Sequence, residues 1–416
     1  MNRISSDMPF SNSQFFLRRQ EAAISNMQNR ISGQNRLVEL RDDPLAASRA
    51  VRYESFLARL NRFEQNTRFA MDHYTMIHES MNSSINILQR MRELAVTGAH
   101  GIYSQEDLSI MGTELNELLL ELVSIANRVG PGVKQMFSGD SVFSEPFRIV
   151  EGVVQGGHGN MVVRVEYRGS GATRSTEISE GTRLELDMAG GDAFWAERMQ
   201  IFSQVDATDY RVSEPGSFFL SGVEIPVSVG DTLPSIVARI NDSAAPVRAS
   251  VDPQTNGLVL EGTTAHFIRA EDGQTGATVL ADLGIISGNM VNNAPNWASD
   301  ASVHGGSIFD MAIRLRDAMF RGDHEFIGSL GIGGMDLAID NFVGRMAEIG
   351  SRQERAELTW QRINREIPNV TGMLSRETGL DMASAATDLQ WMHMAHQATL
   401  ATAARVLPQT LLDFLR

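Results

Sequence analysis

The chain has no cysteine, and among its 36 basic residues only Lys134 is a lysine. Without cysteine there is no disulfide, no thiolate nucleophile and no Cys-ligated zinc. The almost exclusive use of arginine carries no functional reading. Positive charge is also in the minority: 36 Lys and Arg face 51 Asp and Glu, for a net charge of −15 and a pI of about 5.1. A general nucleic-acid or anionic-membrane binder needs clustered positive charge, so neither partner is expected. No run approaches the roughly 20 apolar residues of a membrane span, and no membrane insertion is predicted. The opening "MNRISSDMPFSNSQFFLRRQ" lacks the apolar core of a signal peptide. That points to the cytoplasm or to export by a signal-independent route.

What is present is helical periodicity at both ends. From Phe56 the positions Leu60, Phe63, Thr67, Ala70, Tyr74, Ile77, Met81, Ser84, Leu88, Met91 and Ala95 step by four and three without a break. This is a coiled-coil seam roughly 60 Å long. Gly98 and Gly101 end it. A second seam, Leu108, Met111, Leu115, Leu118, Leu122, Ile125 and Val129, runs to "GPG" at Gly130–Gly132 and predicts an antiparallel fold-back. Near the C-terminus Ile339, Phe342, Met346, Ile349, Gln353, Ala356, Trp360, Ile363, Ile367, Val370 and Leu374 repeat the pattern, with a kink expected at Pro368. The phase slips near Gly379, as in a stutter, and resumes at Met382, Ala385, Leu389, Met392, His396, Thr399, Ala403 and Val406. A shorter stripe of Leu17, Glu21, Ile24, Met27 and Ile31 ends at Gly33, and Asp43–Pro44 marks a new helix start.

Between about 141 and 300 the period changes to two. "NMVVRVEYRG", "TRLELDM", "SFFLSGVEIPVSV" and "GLVLEG" read as strands, and Leu233–Ser243 as one helix among them. The fold class is therefore α+β multidomain: a long antiparallel α-helical coiled-coil rod built from both chain ends, with an inserted β-rich domain. The expected divisions are 1–50 for an N-terminal assembly helix and 51–140 for the first half of the rod. The β-rich domain follows at 141–300, then the second half of the rod at 301–375, and a C-terminal assembly helix and tail at 376–416.

Candidate chemistry is sparse. His393 and His396 stand at i, i+3, but no third ligand is placed to complete a metal site. "GIGG" at Gly331–Gly334 lacks the strand and lysine of a phosphate loop and reads as a flexible turn. "RGD" at Arg321–Asp323 is a string short enough to arise by chance. No nucleophile-elbow motif supports a Ser/His/Asp set. No catalytic, cofactor or metal residue is predicted, and the chain is read as a non-enzyme.

The ends carry a resemblance. "ISGQNRLVELRDDPLAASRAV" (Ile31–Val51) resembles the N-terminal signature of the flagellin family, which spans filament flagellins and hook–filament junction proteins. "GVKQMFSGD" (Gly132–Asp140) resembles the element that closes that family's N-terminal helical hairpin, and Leu380–Arg416 resembles its C-terminal helix and tail. The stretch Gly216–Ile285 resembles the small β-rich module of axial flagellar proteins, with Ser221–Gly222 in place of the usual Asn–Gly. Pro44 after the Asp pair and the ending "LLDFLR" are similar to the junction members rather than to filament flagellins.

The resemblance implies a structural subunit of the bacterial flagellum, an adaptor layer at the hook–filament junction, exported unfolded by the flagellar type III system. It implies several partners: further copies of the chain in a ring or helical layer, a second hook-associated junction protein, flagellin, and a cytoplasmic export chaperone at the C-terminal segment. The location implied is the flagellum, extracellular, or periplasmic if the flagellum is internal. Filament flagellin and a secreted coiled-coil adhesin are the alternatives.

The residues themselves lead to a compatible place. Terminal seams with no partner in the chain are exposed apolar surface, which marks interaction. The predicted assembly contacts are Ile24, Met27, Ile31, Leu389, Met392, Leu400, Leu407, Leu411, Leu412 and Leu415. The last three share one face of a short helix restarted by Pro408. Both ends are expected to be disordered in the free monomer and to fold against neighbouring subunits, because isolated helices of this length are marginal.

Overall fold

The computed structural model of the chain describes residues 7–38, 43–130, 134–141, 145–273, 276–289 and 295–406. In chain order the helices are α1 (Asp7–Gly33), α2 (Pro44–Ala99), α3 (Gln105–Ala126), α4 (Gly190–Ala193), α5 (Leu233–Asp242), α6 (Val279–Asp282), α7 (Ile308–Arg321), α8 (His324–Phe326), α9 (Ile332–Thr378) and α10 (Met382–Val406). Three antiparallel strand pairs come first: β1 (Val129–Gly130) with β2 (Lys134–Gln135), β3 (Phe147–Val153) with β4 (Asn160–Tyr167), and β5 (Ser175–Ser179) with β6 (Thr182–Glu185). The others are β7 (Gln200–Ser203), β8 (Gly216–Leu220), β9 (Val223–Val227), β10 (Val247–Val251), β11 (Leu258–Gly262), β12 (Ala270–Asp272) and β13 (Ala301–His304). They form an antiparallel four-stranded sheet ordered β10-β11-β7-β13 and a three-stranded sheet ordered β12-β8-β9.

Packing divides the chain into Met1–Gln65 with Gln361–Arg416, and Asn66–Trp360. Charge is divided unequally between them. The first unit has 15 basic against 12 acidic residues, and the second has 21 against 39.

In the second unit the α2 seam is buried at every predicted position from Thr67 to Ala95. α3 folds back on it as expected: Arg90 of α2 donates to Glu114 of α3 at 2.8 Å, and Gly98 lies against Leu108. The buried face of α3 is wider than predicted and turned by one residue, comprising Leu108, Gly112, Leu115, Asn116, Leu119, Leu122, Val123 and Ala126. The reason is a second neighbour, α7, which packs along α3. Val129 has left the helix for β1 and is exposed. Two capping boxes start these helices, Ser104 with Asp107 for α3 and Ser307 with Asp310 for α7.

Strands form in all four stretches read as strands, with alternating burial in β8 and β9, whereas Met161–Val162 of β4 and Leu258–Leu260 of β11 are buried in succession. Ser221 and Gly222 take φ of 48° and 85°, the left-handed pair that a two-residue hairpin between β8 and β9 requires. α5 buries Leu233, Ile236 and Ile240, and Asn241 exchanges two hydrogen bonds with the backbone of Ala249 in β10, at 2.8 and 2.9 Å. Phe137, in the "MFSG" element, is fully buried. Gly139 beside it has φ 68°, and a Cβ there would lie 2.4 Å from the Ser170 carbonyl oxygen.

Several expectations need correction. "GIGG" is helical rather than a turn: a π-turn at Ile327–Gly331 leads directly into α9. Gly334 serves close packing, since a Cβ there would sit 1.8 Å from Met311 Cε of α7. "RGD" is a helix junction, with Gly322 as the left-handed cap of α7 and Asp323 capping α8. The phase slip near Gly379 is a break between two helices, not a stutter. Asp381 Oδ1 restarts the helix by accepting from the Ala383 amide at 3.0 Å. α9 runs unbroken in secondary structure through Pro368. The stretch His324–Thr378 also contains an 18-residue window of mean hydropathy 1.2, apolar enough for a membrane span. Within that stretch Met335, Ala338, Phe342 and Ile349 are buried in the protein core, while Leu330, Leu337 and Val343 are exposed.

A buried ionic cluster ties α2 to the strands. Asp187, whose side chain is fully buried, accepts from His73 Nε2 at 3.0 Å and from both Nε and Nη2 of Arg174 at 2.5 and 2.6 Å. Burial pushes its carboxyl up, but the hydrogen bonds from His73 and Arg174 outweigh this and hold it below the ordinary carboxylate value. Asp187→Ala leaves the buried His73 Nε2 and the partly exposed Arg174 guanidinium without this acceptor and should cost about 1–3 kcal/mol in a urea melt of the full chain. In the wild type the contribution of Asp187 is present above the unfolded-state pKa of about 4 and is lost as pH falls through the lower folded-state value. Stability of Asp187→Ala should therefore be flatter across that acid window. A loss below about 1 kcal/mol would show that the cluster does not hold α2 to the strands.

Candidate assembly surface

The first unit joins α1, the start of α2, the end of α9 and α10. Asp43 sits at the start of α2 because its carboxylate accepts from the Ala46 amide at 3.0 Å. That hydrogen bond, aided by Arg36 at 3.3 Å, holds the Asp43 carboxyl below its ordinary value. Pro44 follows at the first helical position, where no amide donor is needed. The chain between α1 and α2 pairs with the chain between α9 and α10. Gln34, with φ 52°, turns the backbone, the Arg36 amide donates to the Thr378 carbonyl at 2.7 Å, and the Leu380 amide donates to Gln34 at 3.2 Å. Arg36 Nη2 adds a bond to the Glu377 carbonyl at 3.0 Å.

This clasp sets α1 antiparallel to α10, and Gln20 Nε2 donates to Thr399 Oγ1 at 3.1 Å across the pair. A small core of Leu60, Ile363 and Val370, bordered by Tyr53, Phe56, Leu57, Phe63 and Ile367, joins α2 to α9. The α1–α10 pair is thinner. Only Ile24 and Ala385 are buried among its described apolar residues, with Met27, Ile31, Leu389 and Met392 half-buried. Its outer faces expose Phe15, Phe16, Met382, Trp391, Met394 and Leu400, with Trp391 at 66%. A monomer rarely leaves that many large apolar side chains on two adjacent helices. Among the described residues, no group of three His, Asp or Glu is placed to hold a metal ion.

Residues 4–141 match the bacterial flagellin N-terminal helical region, and residues 202–264 match the flagellin hook IN motif. In these two regions the chain is similar to the flagellin family. Among relatives of this family, it is 23% identical over 261 residues to flagellar hook-associated protein 3 of Escherichia coli, covering 62% of this chain and 81% of that one. The match to flagellar hook-associated protein 3 of Salmonella typhimurium is also 23% identical, over 164 residues, and spans 39% of this chain and 52% of that protein. Flagellin A of Vibrio anguillarum aligns at 22% identity over 408 residues, 97% of this chain and 96% of that one. A solved hook-associated protein 3 from Legionella pneumophila superposes with a TM-score of 0.45 at 14% identity, over 78% of this chain and 97% of that one.

The two matched regions overlap two of the stretches whose motifs carried the resemblance: the N-terminal helices through "MFSGD", and the part of Gly216–Ile285 that holds β8–β11 and α5. Of the predicted contacts, Ile24, Met27, Ile31, Leu389 and Met392 pack within the chain's own α1–α10 pair, while Leu400 is 46% exposed on its outside. Leu407, Leu411, Leu412 and Leu415 lie outside the described residues. Sequence reasoning passed over Phe15, Phe16, Trp391 and Met394. Their signal was present: each is a large apolar residue off the 3–4 seam of an amphipathic helix, where a free helix carries polar ones.

Ile24→Ala should weaken the α1–α10 pair by about 2 kcal/mol. Hydrogen exchange by mass spectrometry checks this. Amides of residues 14–33 and 382–402 should exchange faster in the variant, with those of the second unit unchanged. Equal exchange in both chains would show that Ile24 does not hold the pair.

Proposed function

We propose that this chain is an adaptor subunit of the bacterial flagellum at the junction of hook and filament. The observation that carries the reading is the flagellin N-terminal helical region followed by a hook IN motif in one chain. The hook-associated relatives, Pro44 and the ending "LLDFLR" favour the junction over the filament. Filament flagellin is the second reading, favoured by the near full-length alignment to a Vibrio flagellin. The role is structural rather than catalytic. In this proposal the chain ends form a helical rod that carries the β-rich middle.

Assembly follows from the exposed faces. Identical chains joined by a head-to-tail contact build a helical array, and a single layer of it is an adaptor. Phe15, Phe16, Trp391, Met394 and Leu400 would meet neighbouring copies, a second junction protein or flagellin. Leu407, Leu411, Leu412 and Leu415 would do the same from the tail. The thin α1–α10 core supports a pair that is marginal alone and firm once covered. In a strain lacking this chain, electron microscopy should show hooks without filaments. Wild-type chain should restore filaments, and Leu412→Asp should not, because assembly would bury an unpartnered charge. The thermal melt of Leu412→Asp should match wild type. Normal filaments in the deletion strain would overturn the function, and full motility with Leu412→Asp would overturn the tail contact.

Passage of the unfolded chain through the flagellar type III system is part of this reading. An unfolded chain with an apolar tail aggregates unless covered. Residues of about 375–416 are proposed to bind a small cytoplasmic chaperone before export. A chain ending at Thr371 should fail to co-purify the chaperone that the full chain brings down, and undiminished co-purification would remove this assignment.

A further inference from the structure

His393 and His396 lack a third nitrogen or oxygen ligand, but a sulfur stands beside them. Met392 precedes His393, and all three residues lie within the helix α10. On a helix a side chain leans back over the turn before its own and meets the residues three and four positions earlier. For His396 those two positions are His393 and Met392. The three side chains therefore leave the helix within an arc of about 100° and inside little more than one turn.

Burial sets them on the flank of the α1–α10 pair. Met392 and His396 are half-buried, and His393 is exposed beside them. His396 Nδ1 is buried with no hydrogen-bond partner, so Nε2 is the ring nitrogen left to reach a ligand. Met392 is unbranched and flexible, which lets its thioether swing towards the two rings. Carboxylates stay out of the set. Asp388 is the one acidic residue of α10, and its eight-residue separation from His396 is about 12 Å along the axis. No carboxylate of another described element joins the two histidines either, since no group of three His, Asp or Glu is placed to hold a metal ion.

The donor set is thus two imidazoles and a thioether, in a chain with no thiolate to offer. Mg²⁺ and Ca²⁺ take oxygen ligands, and structural Zn²⁺ fills its shell from thiolate, imidazole and carboxylate. A thioether selects Cu(I). We infer that Met392, His393 and His396 form a Cu(I) site on α10. The metal bonds Met392 Sδ, a ring nitrogen of His393 and His396 Nε2, and it ties together two successive turns of the helix next to the exposed Trp391. The inference does not rest on the assembly reading, which gives the two histidines no role.

Competition of the full chain against bicinchoninate, with Cu(I) kept reduced by ascorbate, tests the site. The chain should withdraw one equivalent of copper from the chelator, and X-ray absorption should show one sulfur and two nitrogen neighbours. Met392→Leu keeps the bulk of the side chain and removes the sulfur, and His393→Gln changes an exposed residue. Each should weaken binding by at least about tenfold, since loss of even an outer-shell partner costs that much. Met394→Leu, on the far face of α10, should leave the affinity unchanged. Circular dichroism confirms that each variant keeps its helix content. No copper withdrawn, wild-type affinity in both ligand variants, an equal loss in Met394→Leu, or tighter binding of Zn(II) than of Cu(I) would overturn the assignment. None of these outcomes bears on whether the chain assembles at the junction.

Discussion

The second unit depends on one seam having to be covered. From Ala70 to Ala95 α2 presents a continuous stripe of apolar and small residues, all buried. At roughly 25 cal/mol per Å² of apolar surface, no helix can leave such a stripe in water. α3 covers part of it by folding straight back. The strand region covers more, through Tyr74, whose hydroxyl donates to the Glu185 carbonyl, and through the His73–Asp187–Arg174 cluster. The polar seam positions do not disturb this: Ser84 returns its hydroxyl to the Ser80 carbonyl at 3.0 Å. One hydrophobic core therefore runs from α2 and α3 through the strands to α7 and α9.

Much of this was legible because periodicity is a local signal. The α2 and α9 seams, the helix Leu233–Asp242 and the fold-back at Gly98–Gly101 each follow from spacing within a short window. What was not legible depends on partners distant in the chain. The α3 face was misjudged by one residue because α7, two hundred positions away, packs on its flank. Arg316 of α7 is buried there, donating to Asn116 at 2.9 Å and to the Val162 carbonyl at 2.6 Å. A lone arginine in a helical pattern reads as surface until its acceptors are known. Gly334 likewise looks like a loop residue in sequence. Only the structure places it inside a helix with the Met311 side chain of α7 against it.

The candidate site was half legible for the same reason. The seam residues of α1 and α10 were read as contacts to neighbouring subunits, and five of them, Ile24, Met27, Ile31, Leu389 and Met392, lie in the chain's own α1–α10 pair. The large apolar residues outside the seam needed the opposite inference, that an apolar residue in a polar position waits for something.

The division of charge has a consequence for how copies meet. The unit made of the chain ends is close to neutral, with 15 basic and 12 acidic residues, while the unit between them holds 21 against 39. Two copies approaching middle to middle repel over a Debye length of about 8 Å at physiological salt. Contacts made through residues of the first unit carry almost no such net repulsion. The same acidity that keeps the separate chains soluble thus acts as an orientation filter on collision, and it needs no specific contact to do so.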